Sequence, residues 1–157
     1  MRHKKVHKRI AEPDKIYNSV IVTQFINRLM RDGKKTVAQS VVYRMFDLLQ
    51  EKGQEPLKAF ENALTTVGPK MEIKARRIGG ANYQVPVEVR GDRKNALAIR
   101  WVLEAAKARP SKEYHTFAEK LVAEMMDILE GKGEAIKKRD NTIRQAEANK
   151  AFAHFRW

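Results

Sequence analysis

The chain has 157 residues, a length that suits one domain, and its 43% apolar content is enough to build a core, which excludes wholesale disorder. Its 32 Lys and Arg outnumber 19 Asp and Glu, and a net charge of +13 points to a polyanionic partner. The absence of Cys excludes disulfides, thiolate metal sites and a cysteine nucleophile and suits a reducing, cytosolic compartment, and no apolar run reaches the ~18 residues of a membrane span.

Residues 1–15 are too charged to be a signal peptide and read as a flexible basic leader. From Ser19 to Asp32, Val22, Phe25, Ile26 and Leu29 recur at helical spacing until Gly33. Val37, Ala38, Val41, Val42, Met45, Phe46 and Leu49 define a second helix, stopped by Gly53. Pro56 opens a third, which buries Leu57, Phe60, Leu64 and Val67 and ends at Gly68-Pro69.

The period then drops to two. Met71, Ile73 and Ala75 alternate with charged residues, and Tyr83, Val85, Val87 and Val89 alternate after the tip Gly79-Gly80-Ala81-Asn82. The expected hairpin pairs Met71 with Val89, Ile73 with Val87 and Ala75 with Val85, placing Lys74, Arg76, Gln84 and Arg90 on the opposite face. That register sets Glu72 against Glu88, a small cost. Pro86 argues for an edge position.

Asp92 is positioned to cap a fourth helix, which runs to Pro110 with Ala96, Leu97, Trp101 and Leu103 inward and Arg93, Lys94, Arg100 and Lys107 outward. A fifth spans roughly 112–130 on Phe117, Leu121, Val122, Met125 and Leu129. A sixth, from Glu134 to about Lys150, has only Ile136, Ile143 and Ala146 as its apolar face and is expected to dock weakly or project. The fold class is therefore mainly α, a six-helix domain with an extended β-hairpin arm between helices three and four, closed by a basic aromatic tail at 150–157.

Charge is unevenly placed along this plan. Residues 1–15 carry +4, residues 70–109 carry +6 and residues 131–157 carry +4, whereas residues 110–130 carry −3. Three basic surfaces on one body are implied. Gly33-Lys34-Lys35-Thr36 mimics the end of a phosphate loop but lacks the upstream Gly, the Ser or Thr directly after the first Lys and a preceding strand. His3 and His7 lie among Lys and Arg without a nearby thiol or carboxylate to complete a metal site. No constellation supports catalysis, and neither a cofactor nor a metal is expected.

Nucleic acid fits better, because each phosphate neutralised by Lys or Arg releases counterions. The leader, with Arg2, Lys4, Lys5, Lys8 and Arg9, is one candidate arm, and a merely soluble tail is its plain alternative. Lys34 and Lys35 suit one phosphate or, alternatively, helix capping. Arg76, Arg77, Gly79, Gly80, Asn82 and Tyr83 place cations and a ring around closely approachable backbone. Phe152, His154, Phe155, Arg156 and Trp157 suit stacking on bases or docking back on the domain. A DNA-binding architectural protein with a β-arm is the alternative to an RNA binder, although its usual apolar or Pro wedge is missing from a Gly-Gly-Ala-Asn tip.

Ala11-Glu12-Pro13-Asp14, Phe25-Ile26-Asn27, Asp32-Gly33-Lys34-Lys35, the run from Arg77 to Val89 (RIGGANYQVPVEV) and the ending Ala153-His154-Phe155-Arg156-Trp157 carry a likeness over essentially the whole chain. The sequence resembles the bacterial small-subunit ribosomal protein seven family. The resemblance implies a cytoplasmic, non-enzymatic primary binder of ribosomal RNA. It implies nucleation of the 3′ major domain, which forms the subunit head, and a place at the subunit interface near exit-site tRNA and messenger RNA, beside neighbouring head and platform proteins. By matching position it assigns to ribosomal RNA the leader, Lys34, Lys35, the arm with Lys70, Lys74, Arg76, Arg77 and Arg90, and Arg93 and Lys94 of helix four. It assigns to tRNA and messenger Gly79 to Tyr83 and the end of the chain, with Lys137, Lys138, Arg139, Lys150, Arg156 and Trp157.

Overall fold

The apolar stripes of five helices converge on one centre. In the computed structural model, which describes residues 11–155, the order is α1 (Val20–Leu29), α2 (Lys35–Glu51), α3 (Pro56–Val67), β1 (Met71–Ile78), β2 (Ala81–Glu88), α4 (Gly91–Ala108), α5 (Phe117–Leu129) and α6 (Glu134–Ala148), then a 3-10 helix, Lys150–Phe155. Phe25, Phe46 and Phe60 are fully buried, and Phe60 meets the other two edge-on at 5.2 and 5.5 Å, the arrangement that ring quadrupoles favour. Leu121, Met125 and Ile128 make α5 the central element, packed against α2, α3 and α4.

Local chemistry sets the ends. Thr116 begins α5 with a reciprocal cap, its hydroxyl accepting from the Glu119 amide at 3.3 Å while the Glu119 carboxylate accepts from the Thr116 amide at 3.2 Å. The helix therefore starts at Phe117 and not near residue 112. Arg90, and not Asp92, occupies the α4 cap position; Asp92 lies in the first turn, where a carboxylate complements the helix dipole. Three residues expected on buried stripes are exposed: Val37, Ala96 and Leu129. Each lies near a helix end or on the flank of its stripe, where no neighbouring element covers it.

Among the described residues one carboxylate is fully enclosed. Glu124, on the α5 stripe, is fully buried, and its Oε2 accepts from Arg109 Nε at 2.9 Å and Nη2 at 2.6 Å while its Oε1 accepts from the Ala135 amide at 3.1 Å. Asp127 also pairs with Arg109, and hydrogen bonds to both carboxylates hold the guanidinium charged against the opposing effect of burial. Gly133, at φ +106°, makes room for this cluster, since a Cβ there would stand 2.9 Å from Glu124 Oε1.

The hairpin register differs by one residue from the expected one. Ile78 pairs with Ala81, so Glu72 lies opposite Val87, Lys74 opposite Val85 and Arg76 opposite Tyr83. The cause is the turn: Gly79 at φ +57° and Gly80 at φ +89° complete a two-residue loop, and Ala81 and Asn82 belong to β2. A slip of one residue exchanges faces, so Lys74 and Arg76 share theirs with Tyr83, Val85 and Val87, while Gln84 and Pro86 lie with Ile73 and Ala75. The expected clash between Glu72 and Glu88 disappears.

Nor does α6 project. It packs along β1, β2, α3, α4 and α5, burying Ala135, Ile136 and Ala146, two of which are small enough for close approach. Polar ties supplement this thin face: Arg139 Nη1 donates to the Thr66 carbonyl at 2.8 Å, and Lys138 pairs with Glu104.

Candidate nucleic-acid interface

The arm divides its cations between anchoring and display. At its base the buried Glu72 carboxylate accepts from Arg93 Nε and Nη2, both at 3.2 Å, and pairs with Lys74 at 3.4 Å. Arg93 therefore ties the base of β1 to the first turn of α4, and Lys74, on the same strand as Glu72, helps to neutralise the carboxylate. Farther out, Arg76 lies opposite Tyr83 and Arg77 opposite Asn82, and consecutive strand residues face opposite sides of the ribbon. Both arginines are exposed, and neither has a carboxylate partner among the described residues. Gly79, Gly80 and Asn82 complete an exposed tip.

Near the root, Lys70 and Arg90 are exposed and likewise lack a carboxylate partner among the described residues. Lys94 is half-buried, its methylenes lying across Gly68, where a Cβ would come within 2.6 Å of Lys94 Cγ and Cε. The stem covers the backbone, as amphipathic side chains do.

The α1–α2 turn is a second cationic point. Asp32 at φ +53° and Gly33 at φ +72° turn the chain tightly, and Lys34 takes the cap position of α2 without a side-chain capping bond. Capping thus does not account for Lys34. Lys35 follows in a first turn that holds no acid, so two exposed cations adjoin the positive end of a helix dipole. Such a juxtaposition is unfavourable until an anion arrives.

The cations of α6 are largely engaged within the protein. Lys137 pairs with Glu134 at 2.5 Å, which raises its pKa, Lys138 pairs with Glu104, and Arg139 pairs with Asp140 at 2.7 Å besides holding Thr66. Lys150 is exposed without a carboxylate partner among the described residues.

The tail docks back onto the arm. The Tyr83 ring meets Phe152 and Phe155, each at a centroid distance of 5.4 Å, and His154 packs on Phe155 at 4.0 Å. These rings hold the 3-10 helix against β2. Arg2, Lys4, Lys5, Lys8, Arg9, Arg156 and Trp157 lie outside the described residues.

Reasoning from the sequence offered docking of the tail as one alternative but missed three features: the Glu72–Arg93 anchor, Tyr83 as the ring on which Phe152 and Phe155 dock, and the interior Glu124. The signal for the first was the predicted opposition of two glutamates, a conflict that a different register removes. For the third it was a carboxylate placed among Leu121, Met125 and Ile128.

Comparison with known proteins finds relatives along nearly the whole chain. The sequence matches the family model described as "Ribosomal protein S7p/S5e" over residues 1–150. It is 51% identical over 158 residues to a protein of Desulfotalea psychrophila named "Small ribosomal subunit protein uS7", covering 99% of each chain. Proteins of the same name from Carboxydothermus hydrogenoformans and Thermus thermophilus are 52% identical over 97% of this chain and 96% of that one, and 48% identical over 99% of each. With the family model spanning nearly the whole sequence and relatives matching it end to end, the chain belongs to the ribosomal protein S7p/S5e family.

Proposed function

We propose that this protein is a structural constituent of the small ribosomal subunit that binds the 3′ major domain of its ribosomal RNA early and fixes the geometry in which the head assembles. The reading is carried by one observation: Arg76 and Arg77 stand exposed on an arm anchored at its base, while other basic residues, Lys34 and Lys35 among them, stand exposed on a separate part of the same body, none of them with a carboxylate partner among the described residues. Cations held at fixed separations neutralise phosphates from different RNA segments at once and favour the one RNA arrangement that satisfies them all. No bond is made or broken.

In this reading Lys34, Lys35, Lys70, Arg76, Arg77 and Arg90 contact ribosomal RNA, with Lys74 and Lys94 beside them and Arg93 holding the arm. The arm tip, α6 and the tail face exit-site tRNA and messenger, and head and platform proteins are neighbours. The leader contributes further phosphate contacts. The test is competition binding of the full chain to a 3′ major domain transcript at moderate salt. A preference for the transcript over heparin and duplex DNA is expected; equal affinity for duplex DNA would favour an architectural DNA-binding role instead.

A further inference from the structure

Beside the α1–α2 turn lies a groove that no other described element fills. It measures about 380 Å³ and is bounded by the end of α1, the first turns of α2, the end of α4 and the start of α5. Its floor is apolar: Met30, Val37, Val41 and the half-buried ring of Phe117. Val37 is 58% exposed although it continues the α2 stripe, so apolar surface is left open there.

The rim is cationic. Arg31, Lys34 and Lys107 border the groove, and none has a carboxylate partner among the described residues. Lys120 also borders it, but its ammonium is held by the Arg109 carbonyl at 2.7 Å and Ser111 Oγ at 2.9 Å.

An occupant must therefore offer a flat apolar body together with negative charge at its edge. A paired RNA helix offers phosphates but keeps its bases stacked, and would leave the apolar floor wet. A single unstacked nucleotide offers both, since every base has a π-face for a ring or thioether and carries its phosphate alongside. The volume lies near the lower end of the ~300–1,000 Å³ of small-molecule sites, room for one base with its sugar.

The geometry points to this groove as the receptacle for one extruded nucleobase of the bound RNA, its face on Phe117 and Met30 and its phosphate between Lys34, Arg31 and Lys107. The assignment rests on the RNA-binding reading above and adds a base-sized pocket to a surface otherwise made of charge. Phosphate contacts position a protein on RNA, whereas a captured base adds a shape requirement that duplex cannot meet.

Val37→Glu places a negative charge on the groove lip at an exposed position, and Lys107→Ala removes one rim cation without touching the floor. Binding of each full-length variant to the 3′ major domain transcript, with chemical footprinting and a thermal melt, tests the proposal. Val37→Glu is expected to weaken binding about fivefold or more at an unchanged melting midpoint, and both variants to lose protection at the same single unpaired nucleotide. Wild-type footprints in Lys107→Ala, or losses confined to paired nucleotides, would overturn it. Intact RNA binding by Val37→Glu with failed incorporation of a neighbouring protein would assign the groove to a protein instead. If the wild-type chain itself showed no preference for the transcript, the RNA-binding reading would fall and the pocket with it; normal wild-type binding with unaltered variants removes the pocket alone.

Discussion

Arg109 and Glu124 permit each other's burial: the guanidinium, bonded through two nitrogens to one carboxylate oxygen at 2.6 and 2.9 Å, neutralises a side chain that has no access to water, and the other oxygen receives the Ala135 amide at the start of α6. One carboxylate thus joins the end of α4, the middle of α5 and the first turn of α6.

Removing it leaves Asp127 as the one carboxylate on Arg109 among the described residues and strands a buried amide. Glu124→Ala is expected to cost about 3–5 kcal/mol, which for a chain of this size lowers the thermal midpoint by roughly 6–20 °C. Gly133→Ala perturbs the same cluster from the other side, by positive φ and the close Glu124 oxygen, and is expected to cost more than about 1 kcal/mol. Calorimetric melts of both check this.

Arg76→Ala with Arg77→Ala removes exposed cations that do not hold the fold together. The melting midpoint should hold, while the slope of log affinity for ribosomal RNA against log salt falls by roughly 0.7–0.9 for each phosphate no longer neutralised. A salt titration of both proteins with the same transcript measures it, and an unaltered slope would take the arm out of the interface.

The tail gives a third expectation. Phe152→Ala with Phe155→Ala deprives Tyr83 of both rings, each pair being worth about 0.5–1.5 kcal/mol beyond area burial. Amide exchange in the 3-10 helix and in the outer half of β2 should quicken roughly 2- to 12-fold for each ring removed, with core amides unchanged.

Alkaline stability depends on Asp14, which accepts from the Tyr43 hydroxyl at 2.9 Å and from the Ile16 and Tyr17 amides. Burial, then the bond to Asp14, raises the Tyr43 pKa above its ordinary 10.0. The raised value means the fold favours the protonated phenol, so this contribution is complete below about pH 10 and is lost as pH climbs above it. Tyr43→Phe should flatten the fall of the melting midpoint across that range, while tyrosinate absorbance of the wild type shows late-titrating rings.

The helices were legible because each carries its own stripe: Phe25, Phe46, Phe60 and Met125 fall at the predicted spacing and lie fully buried. The cationic segments were legible too, because charge is a property of composition. What escaped depended on pairs distant in sequence. Glu72 and Arg93 find each other only in a register that the Gly79-Gly80 turn sets. Arg109 and Glu124, 15 residues apart, meet only once α4 and α5 pack. Val37 belonged to a valid stripe, but periodicity does not say whether a neighbour arrives to cover it. The ion pairs of α6 escaped as well, because nothing in a charge count reveals that Glu104, Glu134, Asp140 and the Thr66 carbonyl stand beside its cations.

The neutralised Glu124 also bears on the order of events in the cell. Its charge is matched from within by Arg109, so among the described residues the one fully submerged carboxylate of this polypeptide calls for no counterion from a partner. Its surplus positive charge then works as a long-range attractor, gathering RNA from a distance comparable to the screening length before any specific contact forms.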